Sequence, residues 1–107
     1  MSEASMQQWE SGAHRDTQAG KPRFDLIDPI FLRRVADVMA EGAEHYGEHN
    51  WTRGIPSQRY AAGLLRHVYA YLSGDRTEDH LARAAFNLQG LARNEGTSLD
   101  DLFDWNH

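Results

Sequence analysis

Apolar residues recur at helical spacing in three stretches separated by short polar connections, and no stretch alternates with period two for long. Asp28-Pro29 reads as an N-cap and first-turn proline, followed by the stripe Phe31, Val35, Val38, Met39, Gly42 and Tyr46, with Gly47 closing the helix. The loop from Glu48 to Pro56 carries Trp51, Gly54 and Pro56, residues that turn and anchor a chain. Ser57 is placed to cap a second helix running to about Ser73, with the face Tyr60, Ala61, Leu64, Leu65, Val68, Tyr71 and Leu72. After the turn at Gly74-Asp75, Thr77 is expected to cap a third helix, with Glu78 and Asp79 in its first turn. Leu81, Ala82, Ala85, Phe86, Leu88 and Ala92 carry that helix to about Arg93. Ser98, Leu99, Leu102 and Phe103 predict a short C-terminal amphipathic helix.

Residues 1–19 are polar and aperiodic and read as a flexible arm ahead of one domain over 20–107. Pro22 biases the start of that domain toward an extended shape, and Phe24, Leu26 and Ile27 are placed to pin it on the core. The fold class is therefore all-α, a small bundle of three main helices plus a short C-terminal one. A core of this size, with leucines and aromatics to spare on its faces, is expected to complete itself by oligomerising as a homodimer or homotetramer.

Composition narrows the function. The chain has 107 residues, 40% of them hydrophobic, enough for one small core. Sixteen acidic residues against eleven basic ones leave a net charge of −5, the wrong sign for a general nucleic-acid or anionic-membrane binder. Only Lys21 among the basic residues is lysine, and the arginines suit bidentate contacts with phosphate or carboxylate. The absence of cysteine excludes disulfides, zinc-thiolate sites and thiol nucleophiles. No apolar run reaches the length of a membrane span and no signal peptide opens the chain, so a cytoplasmic protein is expected.

Glu41 and Glu44 stand three apart on the first helix, and Asp37 extends the same side by a turn. Such a stripe is ordinarily a solvated face. Bordered by Ala36, Ala40 and Ala43, however, it has room for a neighbouring helix, and a third acid would turn it into a site for a hard cation such as Mg²⁺ or Mn²⁺. Asp79 is the candidate third acid, although acids in a first turn also serve simply to complement the helix dipole. Arg66 and His67 lie on the second helix beside Leu64 and Leu65, and Asn87 lies between Phe86 and Leu88, so each needs a polar partner wherever it is buried.

Two motifs mislead. His45-Tyr46-Gly47-Glu48-His49 matches the inverted zinc-peptidase pattern H-x-x-E-H, which requires both histidines on one continuous helix. Gly47 inside it predicts a helix end instead. Asp79-His80 is the reverse of the His-Asp pair that an HD-type phosphohydrolase needs.

Four strings taken together are distinctive: GKPRFDLI at 20–27, EGAEHYGEHNW at 41–51, RYAAGLLRHVYAYLSGD at 59–75 and EDHLARAAFN at 78–87. In order and spacing they resemble the phage dATP/dGTP diphosphohydrolase family, a branch that looks like the MazG-type all-α nucleoside triphosphate pyrophosphohydrolases. The resemblance implies an oligomer that splits a purine (d)NTP, dGTP or dATP, into monophosphate and pyrophosphate, with Mg²⁺ or Mn²⁺ as cofactor. It implies metal ligation by Glu41, Glu44 and Asp79, with Glu41 and Glu44 also catalytic. By the same resemblance Lys21, Arg23, Asn50, Trp51, Arg66, His67, His80 and Asn87 fall to substrate binding. The chain departs from the pattern at Arg83, where many relatives carry His, and at Phe86, where many carry Trp.

The chemistry of the implied reaction suits these residue types. A triphosphate carries about four negative charges near neutrality, so an acidic site holds it through metal ions. Lys21, Arg23 and Arg66 are placed to neutralise phosphate, Glu44 to accept a proton from water, Trp51 or Tyr46 to stack on the base, and Asn50 or Asn87 to read its edge. Against this enzyme stand two other readings. One is a nucleotide-binding or sequestering protein of the same fold without catalysis, prompted by Arg83. The other is an interaction module whose acidic stripe is only solvated, which predicts no thermal shift with nucleotide or metal.

Overall fold

The computed structural model describes residues 6–17 and 19–95. The expected C-terminal helix around Leu99, Leu102 and Phe103 lies outside them. Three helices dominate: α1 (Pro29–Tyr46), α2 (Ser57–Leu72) and α3 (His80–Arg93). The expected arm departs from a wholly helical chain, because β1 (Met6–Gln8) and β2 (His14–Asp16) pair antiparallel with Gln7 opposite Arg15. Gly12, at φ +91°, closes that hairpin by donating to the Trp9 carbonyl. Strands of only three residues, MQQ and HRD, are too short to carry a hydrophobic periodicity, which is why the pattern did not reveal them.

α1 starts and ends as its sequence predicts. Asp28 Oδ1 accepts from Ile30 N at 3.0 Å, Pro29 follows at the first turn, and Gly47 closes the helix at φ +90°. The H-x-x-E-H string is thereby broken between Tyr46 and His49, and His49 itself is left-handed at φ +62°. Trp51, in a short 3₁₀ turn over Asn50–Thr52, is then buried.

Two cap assignments are corrected. Ser57 is the first residue of α2 behind Pro56, and its hydroxyl accepts instead from Asn94 Nδ2 at 3.0 Å. Thr77 does not cap α3: its N–H and its hydroxyl both donate to Asp75 Oδ1, at 2.8 and 2.7 Å. The cap is Asp79, whose Oδ1 accepts from Ala82 N at 3.2 Å. A carboxylate two residues upstream takes the threonine's donors into a local turn and so delays the helix start.

α3 packs against α2 and also contacts α1 and the 3₁₀ turn. Its approach to α2 depends on two glycines. A Cβ on Gly63 would stand 2.6 Å from Asn87 Oδ1, and one on Gly90 would overlap the Tyr60 ring. Among the described residues the core is correspondingly small: Trp51, Tyr60, Ala82 and Ala84, with His80 the buried polar member. Tyr60 donates to the Trp51 carbonyl at 2.7 Å and meets Phe86 edge-on, as Trp51 does.

Phe24, Leu26 and Ile27 do not pin the domain start. They sit in and just after a 3₁₀ turn over Phe24–Leu26 and are exposed, the turn being held locally by the Arg23–Asp25 pair and by Leu26 N donating to the Arg23 carbonyl. Leu65, Tyr69, Leu72 and Leu88 are also exposed.

Candidate functional site

A cavity of about 850 Å³ lies against α1, the 3₁₀ turn, α2 and α3. From α1 and the turn that ends it come Glu41, Tyr46, Asn50 and Trp51; from α2, Arg66 and His67; from α3, Arg83, Phe86 and Asn87. The volume falls in the range of small-molecule sites, about 300–1,000 Å³. Of the expected site residues, Glu41, Asn50, Trp51, Arg66, His67 and Asn87 meet here. Lys21 and Arg23 instead edge a separate recess beside the hairpin with Gln7 and Thr17, and Arg23 is occupied by Asp25 in two bonds of 2.9 and 2.7 Å. Glu44 is exposed on α1 outside the cavity wall.

Several charges in and around the cavity are paired. Arg83 donates through Nη2 to both oxygens of Glu41, at 3.1 and 2.9 Å, while its Nε lies 3.1 Å from Glu78 Oε1. Asp79 is gripped by Arg34 of α1 in a bidentate pair of 2.8 and 2.7 Å while capping α3. Glu41 and Asp79 are thus each matched with a guanidinium from the other helix, while Glu44 lies outside the cavity wall. Neither Arg34 nor Arg83 belongs to the binding set expected from sequence. Arg83 was noticeable only as a departure from its relatives' histidine, and nothing local marks Arg34.

Arg34 holds the Asp79 carboxyl down at about 2 from an ordinary 3.8. A depressed carboxylate stabilises the fold above its unfolded pKa, and that stability is lost as pH falls through the folded value. Stability is therefore expected to decline between about pH 4 and pH 2, and Asp79→Asn to remove part of that decline. With the two side chains 42% and 32% exposed, solvent screening brings the contribution down to about 1 kcal/mol. Urea midpoints measured from pH 2 to 6 on both proteins check this; parallel curves would show that the Arg34 pair contributes nothing.

A second cluster sits beside the cavity. His67 Nδ1 and His80 Nδ1 face each other at 2.9 Å, with Glu78 Oε1 at 3.6 Å from the first and 3.9 Å from the second. These three side chains form a group able to hold a metal ion. His80 is the first residue of α3 and is buried, and its Nε2 lies 3.1 Å from Asp75 Oδ2, off the hydrogen-bond axis. Two hydrogen bonds from Thr77, with the His80 ring close by, hold Asp75 at about 2, so it stays a carboxylate. Burial lowers the pKa of His67, keeping its ring neutral at pH 7. Sequence reasoning had both histidines but treated Glu78 only as a first-turn acid; its spacing two residues before His80 was the available signal.

The model of the dATP/dGTP diphosphohydrolase N-terminal family matches residues 11–101. The chain belongs to the dATP/dGTP diphosphohydrolase family. A dATP/dGTP diphosphohydrolase of Salmonella phage PMBT28 is similar, 36% identical over 89 residues covering 76% of this chain. The chain spans 30% of that relative's length. No solved structure matches. The family match covers the cavity, the His67–Glu78–His80 cluster and the second strand of the hairpin. Among the described residues no helix is long and apolar enough to cross a membrane.

Proposed function

We propose that this chain is a metal-dependent purine deoxynucleoside triphosphate pyrophosphohydrolase acting in the cytoplasm of a phage-infected host. Water attacks the α-phosphorus of dGTP or dATP, the bond to the bridging oxygen breaks, and dNMP and pyrophosphate leave. The observation that carries this reading is the convergence of basic, aromatic, amide and acidic side chains on one cavity within the family's matched segment.

Arg66 and Arg83 supply charge for the phosphates. Trp51 is committed as an anchor, buried against Phe86, which leaves Tyr46, exposed at the rim, as the surface on which a base stacks. Asn50 reads the base edge. Asn87 is spent otherwise, donating to the Arg83 carbonyl at 2.8 Å and pressing its Oδ1 on Gly63. Glu41 orients Arg83 and accepts a proton from the attacking water. Glu41 of the cavity wall would help hold Mg²⁺ or Mn²⁺, which would neutralise charge on the phosphates when bound. Exposed Leu65, Tyr69, Leu72 and Leu88 support assembly of the chain with copies of itself.

Purified protein incubated with each of the eight common NTPs and dNTPs in Mg²⁺ or Mn²⁺ is expected to yield monophosphate and pyrophosphate from a purine dNTP, and to stop on chelation. Intact nucleotides with folded protein would overturn the enzyme. One observation favours a second reading, binding or sequestration without catalysis: Glu41 already spends both oxygens on Arg83. Saturable binding with the nucleotide recovered intact would establish it.

A further inference from the structure

The group formed by His67, Glu78 and His80 has features that the nucleotide cavity does not explain. Two histidine nitrogens point at each other from different helices, one ring is 6% exposed, and a carboxylate stands beside them. Two facing ring nitrogens are either a hydrogen-bonded pair, with the proton on one of them, or two lone pairs directed at a common cation.

We propose that His67 and His80, through their Nδ1 atoms, and Glu78, through one carboxylate oxygen, bind a divalent first-row transition metal, a site separate from any magnesium carried by the nucleotide. Nitrogen donors select this class, because Mg²⁺ and Ca²⁺ take oxygen ligands while imidazole suits Mn²⁺ through Zn²⁺. The spacing fits. With metal–nitrogen bonds of about 2.0–2.1 Å, two adjacent nitrogens stand about 2.9 Å apart around an octahedral ion and about 3.3 Å apart around a tetrahedral one. The observed separation is 2.9 Å. Glu78 is half-exposed, and a small rotation of its side chain brings the oxygen into range.

Asp75 completes the arrangement. Its carboxylate beside His80 Nε2 favours the proton on that nitrogen and so leaves Nδ1 bare, as the outer partner of a metal-bound histidine does. Without metal, His67 donates its Nδ1 proton to His80 Nδ1. On metal binding that proton moves through solvent to Nε2 of His67, so the neutral ring keeps one proton and gains a free lone pair at Nδ1. The carboxylates of Asp75 and Glu78 stand directly beside the two rings, with Arg66 and Arg83 as the nearby positive charges. The ligands join α2 to the start of α3, so the ion would clamp the two helices whose packing forms the core.

This inference rests on donor geometry and not on the hydrolase reading, and it is tested without nucleotide. Tag-free protein is stripped of metal and titrated with Co²⁺, following the visible absorption band and the melting temperature, with Mg²⁺ in parallel. Cobalt is expected to give a saturable band and, at a hundredfold excess over Kd, a rise in melting temperature of roughly 10 °C; Mg²⁺ is expected to give neither. His67→Gln and Glu78→Gln are expected to weaken Co²⁺ at least about 10-fold. Glu78 is on the surface, so its variant folds even if the histidine variant does not. Glu41→Gln is expected to bind Co²⁺ as the parent does. No band in the parent overturns the proposal, and so does unchanged binding in Glu78→Gln, which would place the ion on exposed histidines such as His45 and His49.

Discussion

Tyr60→Ala is expected to leave the domain unfolded or nearly so at 37 °C. Tyr60 is 2% exposed, the most buried of the large side chains described, and from α2 it meets both α3 and the turn that carries Trp51. Its ring occupies the space above Gly90, meets Phe86 edge-on, and its hydroxyl ties α2 to the 3₁₀ turn through the Trp51 carbonyl. Removing a buried aromatic costs about 3–5 kcal/mol, including the cavity left behind. Total stabilities run to only about 5–15 kcal/mol, and a core with so few large members sits at the low end. Tyr60→Phe keeps the ring and loses the hydrogen bond, so a smaller loss of about 1–2 kcal/mol is expected. Circular dichroism during a thermal scan of the three proteins checks the order. A Tyr60→Ala variant melting within a few degrees of the parent would mean that the core lies elsewhere.

Glu41→Gln is expected to reduce turnover of the preferred dNTP by at least about 100-fold while the helices persist. Glutamine is nearly isosteric with glutamate, but it cannot hold Arg83 in an ion pair through both oxygens or accept a proton from water. Glu41 is also half-exposed, so its loss removes little packing. A chromatographic assay and circular dichroism on the same sample separate the two effects. An unaffected rate would take Glu41 out of the reaction and shift attention to Glu44. Loss of rate with nucleotide affinity unchanged would assign Glu41 to the chemical step.

The pattern along the chain determined most of the secondary structure because helices are local objects. Period, caps and closing glycines are all contained within a few residues, so Asp28, Pro29 and Gly47 bound α1 without reference to anything distant. The same locality exposed the H-x-x-E-H string as a helix end. Caps failed where several donors and acceptors competed within one turn, as Asp75, Thr77 and Asp79 do, since spacing alone does not rank them. The family was also legible, because four strings in register are a property of order and not of space.

Tertiary structure decided the chemistry of the site. Glu41 of α1 finds Arg83 across 42 residues and Asp79, at the start of α3, finds Arg34 across 45, so each carboxylate is claimed by a guanidinium from the other helix. His67 and His80, separated by thirteen residues and a turn, meet nitrogen to nitrogen only because Gly63 and Gly90 let α2 and α3 approach closely. Local rules set which residues each helix presents. Which side chain reaches which partner depends on how closely two backbones pack, and that distance is fixed by side chains on both helices at once.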